Sequence, residues 1–139
     1  MSIFKLYQTS KSLETEGVWI EYPENKDGTI PAFKLARMSR NNKNYLKTVE
    51  EKTRPYKRQI ELNAIKPSQA DEMMLDIFTS AILIDWRNIK KTNGEGIVYS
   101  KDEAKDLMKM LPDLYEDLQE KAKEIQFFID ATMENDSKN

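Results

Sequence analysis

Four groups of residues invite a chemical reading. Arg37, Arg40, Lys43, Lys47, Arg54, Lys57 and Arg58 form a basic run with Tyr45 and Tyr56 between them, the combination that neutralises phosphates and stacks on bases. Asp113, Glu116 and Asp117 lie together in a helical pattern, where carboxylates can share a magnesium ion. Asn93-Gly94-Glu95-Gly96 has the glycines of a phosphate-cradling turn, and Asp27-Gly28 begins like a calcium loop.

None of the four extends to a complete motif. The basic run has no glycine-aromatic strand motif and no GXXG loop, and the isoelectric point of the sequence is 5.4, far from the basic domains that bind nucleic acid. The Asn-Gly turn is not followed by Lys-Ser/Thr or a helix start, which excludes a P-loop. Asp27 lacks the alternate oxygen ligands and the closing Glu of a calcium site. The acids at 113–117 open a helix, where the macrodipole alone favours them. The chain contains no Cys and no His, so disulfides, Cys/His zinc sites, thiol nucleophiles and histidine-based triads are all ruled out. The expectation is a protein without enzymatic activity, catalytic residues, metal or cofactor.

Charge is balanced in total, 22 basic against 24 acidic residues, but not along the chain. Residues 34–66 hold ten basic and three acidic side chains, net +7, and residues 101–139 hold six and eleven, net −5. Such a split points to pairing within the fold or to an electrostatic partner. A cleaved secretory signal is not expected from Met1-Ser2-Ile3-Phe4-Lys5, and Ala81-Ile82-Leu83-Ile84 stops at Asp85, too short for a membrane span.

The elements that position these groups follow from pattern. Gly17–Tyr22 and Ile30–Leu35 are rich in β-branched and aromatic residues, and the polar loop between them carries Asp27-Gly28, which predicts a hairpin. Alternation sets Val18, Ile20 and Tyr22 on one face and Trp19 with Glu21 on the other. Pro31 marks a strand start, and Ile3–Tyr7 can supply a third strand. From Asn42 the pattern turns helical: Tyr45, Leu46 and Val49 share a face, then Tyr56, Ile60 and Ala64 recur at a spacing of four. Ser68 with Asp71 reads as a capping box opening a central buried helix through Met73, Met74, Ile77, Phe78, Ala81 and Ile82, with Leu83, Ile84 and Trp86 widening its apolar side. The methionines suit core filling. Ser100 with Glu103 caps a further helix, and Pro112 suits the first turn of the next.

The fold expected is α+β, mainly α: an N-terminal β-hairpin, with room for a third strand, then a bundle of four to five helices. One domain spans residues 1–133, divided into a hairpin region at 1–40 and a helical region at 41–133. Residues 134–139 are expected to form a polar, frayed tail.

The order of several short blocks resembles the tail assembly chaperones of long-tailed bacteriophages. Lys11–Tyr22 is similar to their opening hairpin, and Phe33–Met38 with Asn44-Tyr45 to the return strand and its exit. Trp86–Ile89, Gly94 or Gly96, Val98–Ser100, then Ala104, Leu107, Leu111-Pro112, Leu114 and Phe127 or Phe128 continue the likeness over about residues 3–130. The resemblance implies a non-enzymatic protein of the host bacterial cytoplasm, absent from the mature virion. It would bind the tape-measure protein, keep that chain soluble and help recruit tail-tube subunits. A homo-oligomer is compatible with it; nucleic acid and membrane are not expected partners. A tail or head-completion protein retained in the virion is the structural alternative, and a nucleic-acid-binding regulatory module using residues 34–66 a further one. Helical apolar stripes need an apolar face to receive them. Its candidate residues are Trp19, Phe33, Leu35, Leu83, Phe127 and Phe128.

Overall fold

Two four-residue strands, β1 (Val18–Glu21) and β2 (Ala32–Leu35), form the hairpin that the alternation implies. They pair antiparallel with Val18 opposite Leu35 and Ile20 opposite Phe33. The connecting loop turns where Gly28, at φ +86°, donates its amide to Asn25 O. The computed structural model describes residues 2–138, and within them the fold is α+β and mainly helical.

A third strand is present, but not at Ile3–Tyr7. Those residues form helix α1, whose first turn is capped by Ser2 Oγ accepting the Phe4 amide. Helix α2 (Lys11–Glu16) follows, capped by Ser10. The third strand is β3 (Leu83–Arg87), pairing antiparallel with β2 to give the order β1-β2-β3. The central helix therefore ends at Ala81 instead of running on through Trp86. A run such as Leu83-Ile84-Asp85-Trp86 suits either state, and the open hydrogen-bonding edge of β2 decides for strand. The pairing slips by one residue between Lys34 and Leu35, a bulge that leaves the Ile84 side chain over Gly17. A Cβ at Gly17 would lie 2.8 Å from Ile84 Cδ1, and its φ of +95° is one that side chains rarely adopt.

The remaining helices divide into α3 (Lys43–Thr53), a 3-10 turn at Arg54–Tyr56, α4 (Lys57–Glu61), α5 (Pro67–Ala81), α6 (Lys101–Met110), α7 (Pro112–Lys123) and α8 (Ile125–Lys138). Asn42 caps α3, its Oδ1 accepting the amides of Asn44 and Tyr45 while Nδ2 donates to Arg37 O. On α3 Thr48 takes the buried position and Leu46 faces solvent. Ser68 does not cap α5. Pro67 occupies the first turn, and the Gln69 side chain accepts the Lys66 amide, so the helix starts two residues earlier than the Ser68-Asp71 pair suggests. Ser100 caps α6 through the Glu103 amide, and Pro112 opens α7. At the polar end α8 continues to Lys138; Asn139 lies outside the described residues.

One core joins the inner face of the sheet to α5, α6, α7 and α8. Edge-to-face rings cross it from Tyr22 to Phe33, Phe33 to Trp86 and Trp86 to Tyr99, at 5.7, 6.1 and 5.2 Å between centroids. Trp86 Nε1 donates to Ile97 O and Tyr99 Oη to Leu83 O, so both polar tips are satisfied. The two methionines of α5 do not both fill the core: Met74 is 51% exposed.

Asp76 on α5 ties the helices electrostatically. It receives Lys52 of α3 at 3.1 Å, and Lys101 and Lys105 of α6 at 3.2 and 3.0 Å. Burial pushes its carboxyl up, but the hydrogen bonds from Lys105, Lys52 and Lys101 outweigh this and hold it well below the usual carboxylate range. A lowered folded-state pKa contributes stability above the unfolded value near ~3.9, and that contribution is lost as pH falls further. Asp76→Asn is expected to cost on the order of 2 kcal/mol at neutral pH, because three ammonium groups lose the negative charge they share. Urea unfolding of both proteins should show the difference shrinking below about pH 4. An equal difference at pH 7 and at the acid end would contradict this role for Asp76.

Candidate functional site

The strand and helix faces separate the six partner-binding candidates into two groups. Phe33 and Leu35 lie on the inner face of β2, Leu83 faces Leu35 from β3, and Phe128 projects from α8 into the core; all four are buried. Their exclusion from the surface has a physical reason in each case. Phe33 is held between the rings of Tyr22 and Trp86. Leu35 is enclosed by its strand partners on both sides. Phe128 lies beneath the Arg37 guanidinium, 6.0 Å from ring to charge. These four serve the core and cannot meet a partner.

Trp19 and Phe127 stay at the surface and come together. Trp19 is 36% exposed on the outer face of β1, and both residues line a groove of about 470 Å³ between β1 and α8. Leu13 and Ala131 add apolar wall, and Arg87, Glu21 and Asp130 form its polar rim. The Arg87 guanidinium sits 4.3 Å from the Trp19 ring centre and Lys34 Nζ 5.8 Å from it. These cation–π contacts brace the indole on the outer face of the sheet. A second groove of about 420 Å³ lies on α8 beside α1, lined by Phe4, Ile129, Thr132 and Met133. Ile3, Phe4, Leu6, Tyr7 and Met133 are all exposed, Phe4 to 68%. α8 therefore carries apolar surface on both flanks. The sequence pattern assigns the α1 residues to a strand; Ser2 as an N-cap ahead of Ile3-Phe4-Lys5-Leu6-Tyr7 is the signal for a helix.

The charged groups resolve differently. Arg37 leaves the basic run, because its Nη1 is bound to the buried Glu14 carboxylate at 2.6 Å and its amide to Glu14 O. Arg54 pairs with Glu50 on the same helical surface. Asp117 accepts from Tyr22 Oη and from Lys121, and those two bonds, Lys121's first, hold its carboxyl below the usual range. Burial and then that same Asp117 contact push the Tyr22 phenol well above its ordinary value. Asp113, Glu116 and Asp117 do not converge, and among the described residues no group of three acidic side chains is placed to hold a metal ion. No described helix is long and apolar enough to cross a membrane.

No curated protein and no solved structure matches the chain. The sequence profile of the YdaY prophage protein family matches residues 40–139, a stretch that takes in α3 to α8 and β3 but leaves β1 and β2 outside. Covering well over half of the sequence, that match shows that the chain is phage-derived and belongs to the YdaY prophage protein family.

Proposed function

We propose that this prophage-family protein is a non-enzymatic tail assembly chaperone. It binds the tape-measure protein in the host cytoplasm, keeps that chain soluble and helps bring tail-tube subunits to it. The observation that carries the reading is the apolar surface flanking α8, with Trp19 and Phe127 on one side and Phe4 and Met133 on the other. Contiguous exposed apolar side chains of this kind mark contact sites for other chains. A long helical polypeptide presents the complementary stripe, read as anchors three and four residues apart. Family membership supplies the phage setting, and the order of short blocks along residues 3–130 supplies the tail-assembly reading.

Co-expression with the cognate tape-measure protein tests this. The chain should raise the soluble fraction of that protein and co-elute with it. A Phe4→Ser, Trp19→Ala, Phe127→Ala triple variant should lower recovery of the complex about tenfold, the scale of losing exposed aromatic anchors, while remaining folded by circular dichroism. If the wild type neither improves solubility nor forms a complex, the chaperone reading fails. Stoichiometric copies in purified virions would instead favour a structural tail or head component.

A further inference from the structure

The +7 charge of residues 34–66 is only partly neutralised within the fold. Arg37, Lys52 and Arg54 have acidic partners. Lys43, Lys47, Lys57 and Arg58 are exposed and form no ion pair with a described residue. The last two stand on an arm, the 3-10 turn and α4, that rests chiefly on α3 and on itself. Its apolar residues are bare as well: Ile60 is 41% and Leu62 67% exposed. Asn63, at φ +53°, ends α4 in the left-handed conformation that asparagine tolerates, so the arm has a defined tip.

A receiving surface with the opposite charge exists elsewhere on the chain. A groove of about 530 Å³ runs between α5 and the α6–α7 corner, floored by Met74, Leu75, Met108 and Tyr115, with Asp71 at its rim and Glu72 paired there with Lys109 at 3.3 Å. Asp113, Glu116 and Glu120 follow along one exposed face of α7 at helical spacing. They form no ion pair with a described residue. The acidic surface therefore matches the arm in both respects, an apolar floor for Ile60 and Leu62 and carboxylates for Lys57 and Arg58.

We infer that the α4 arm of one copy docks in the α5–α7 groove of a second copy of this chain. Both halves of the contact are present on one polypeptide, yet each keeps unmatched charge. Electrostatic complementarity of this sort steers association and fixes its register. The inference does not depend on the chaperone reading, because neither surface includes Trp19, Phe127 or α1.

The test is light scattering coupled to size exclusion, with the full chain at tens of micromolar. At about 50 mM salt the mass should exceed that of the monomer, and at about 0.5 M salt, where rim charges are screened, it should fall toward monomer. Lys57→Glu with Arg58→Glu should be monomeric at low salt, as should Glu116→Lys with Glu120→Lys, all at exposed sites that leave the fold intact. Mixing the two doubly substituted proteins should restore association, because the acidic arm of one meets the basic groove of the other and the unmodified arm meets the unmodified groove. The quadruple variant carrying all four reversals should likewise regain association, because both surfaces change sign together. A wild type that stays monomeric at low salt overturns the inference, and so does a quadruple variant that stays monomeric. Salt-sensitive retention of RNA or DNA by a monomeric wild type would also overturn it, assigning the arm to nucleic acid.

Discussion

Glu14→Ala should lower the stability of the protein by about 3–5 kcal/mol, the range for removing one partner of a buried ion pair. Glu14 is 1% exposed, and its carboxylate accepts from Arg37 Nη1 and from Thr9 Oγ1. Arg37 is itself largely buried, and its Nε has no partner among the described residues. Without Glu14 the guanidinium keeps its charge in an apolar setting against Phe128, and that desolvation is uncompensated. Replacing both residues, Glu14→Met with Arg37→Met, should recover much of the loss, since a buried pair contributes little over apolar neighbours of similar volume. Thermal unfolding would report the single substitution as a fall of roughly 10–20 °C for a chain of this size. A fall of a degree or two would show that water reaches the pair.

The second large effect separates two adjacent phenylalanines. Phe128→Ala is expected to cost about 3–5 kcal/mol, through lost transfer energy and the cavity left behind. Its side chain is fully buried and touches the cluster that unites the sheet with α7. Phe127→Ala should cost about 1 kcal/mol or less, because that ring is only partly covered and lines the groove beside Trp19. Urea titration distinguishes them: the midpoint should move strongly for Phe128 and weakly for Phe127, with the slope unchanged. Binding of a tape-measure chain should show the opposite ranking once both proteins are compared in the folded state. Equal stability losses at the two positions would place Phe127 in the core and remove it from the proposed surface.

Local signals account for much of what could be read in advance. The β1–β2 hairpin follows from strict alternation around an Asp-Gly turn, and Asn42, Ser100 and Pro112 mark helix starts that local chemistry alone determines. Leu83–Arg87 was different, because a short apolar run carries no period that separates strand from buried helix. Its state depends on the vacant edge of β2, 48 to 55 residues upstream in register, which no short window of sequence contains. Ile3–Tyr7 differs for a related reason: four apolar and aromatic residues around Lys5 resemble a strand, and docking on α8 settles them as a helix. The partner surface was half legible. Trp19 follows from alternation, whereas the burial of Phe33 and Leu35 follows only when β3 and the helices are in place. The exposed arm at residues 54–64 shows as charge in the sequence, but its standing apart from the core does not.

The strand β3 also sets an order on synthesis. The hairpin emerges from the ribosome early, but the free edge of β2 stays unpaired until Arg87 has been made. α1 and α2 wait longer still, since they rest on α8, and the Ser10 amide is bonded to Thr132 Oγ1 at 3.0 Å. The first third of the polypeptide is thus a passenger for most of translation and gains its structure from the last third. A frame change or truncation after α7 would leave β1, Trp19 and α1 without their support, so the apolar surface assigned to partner binding forms only when α8 is present to hold it.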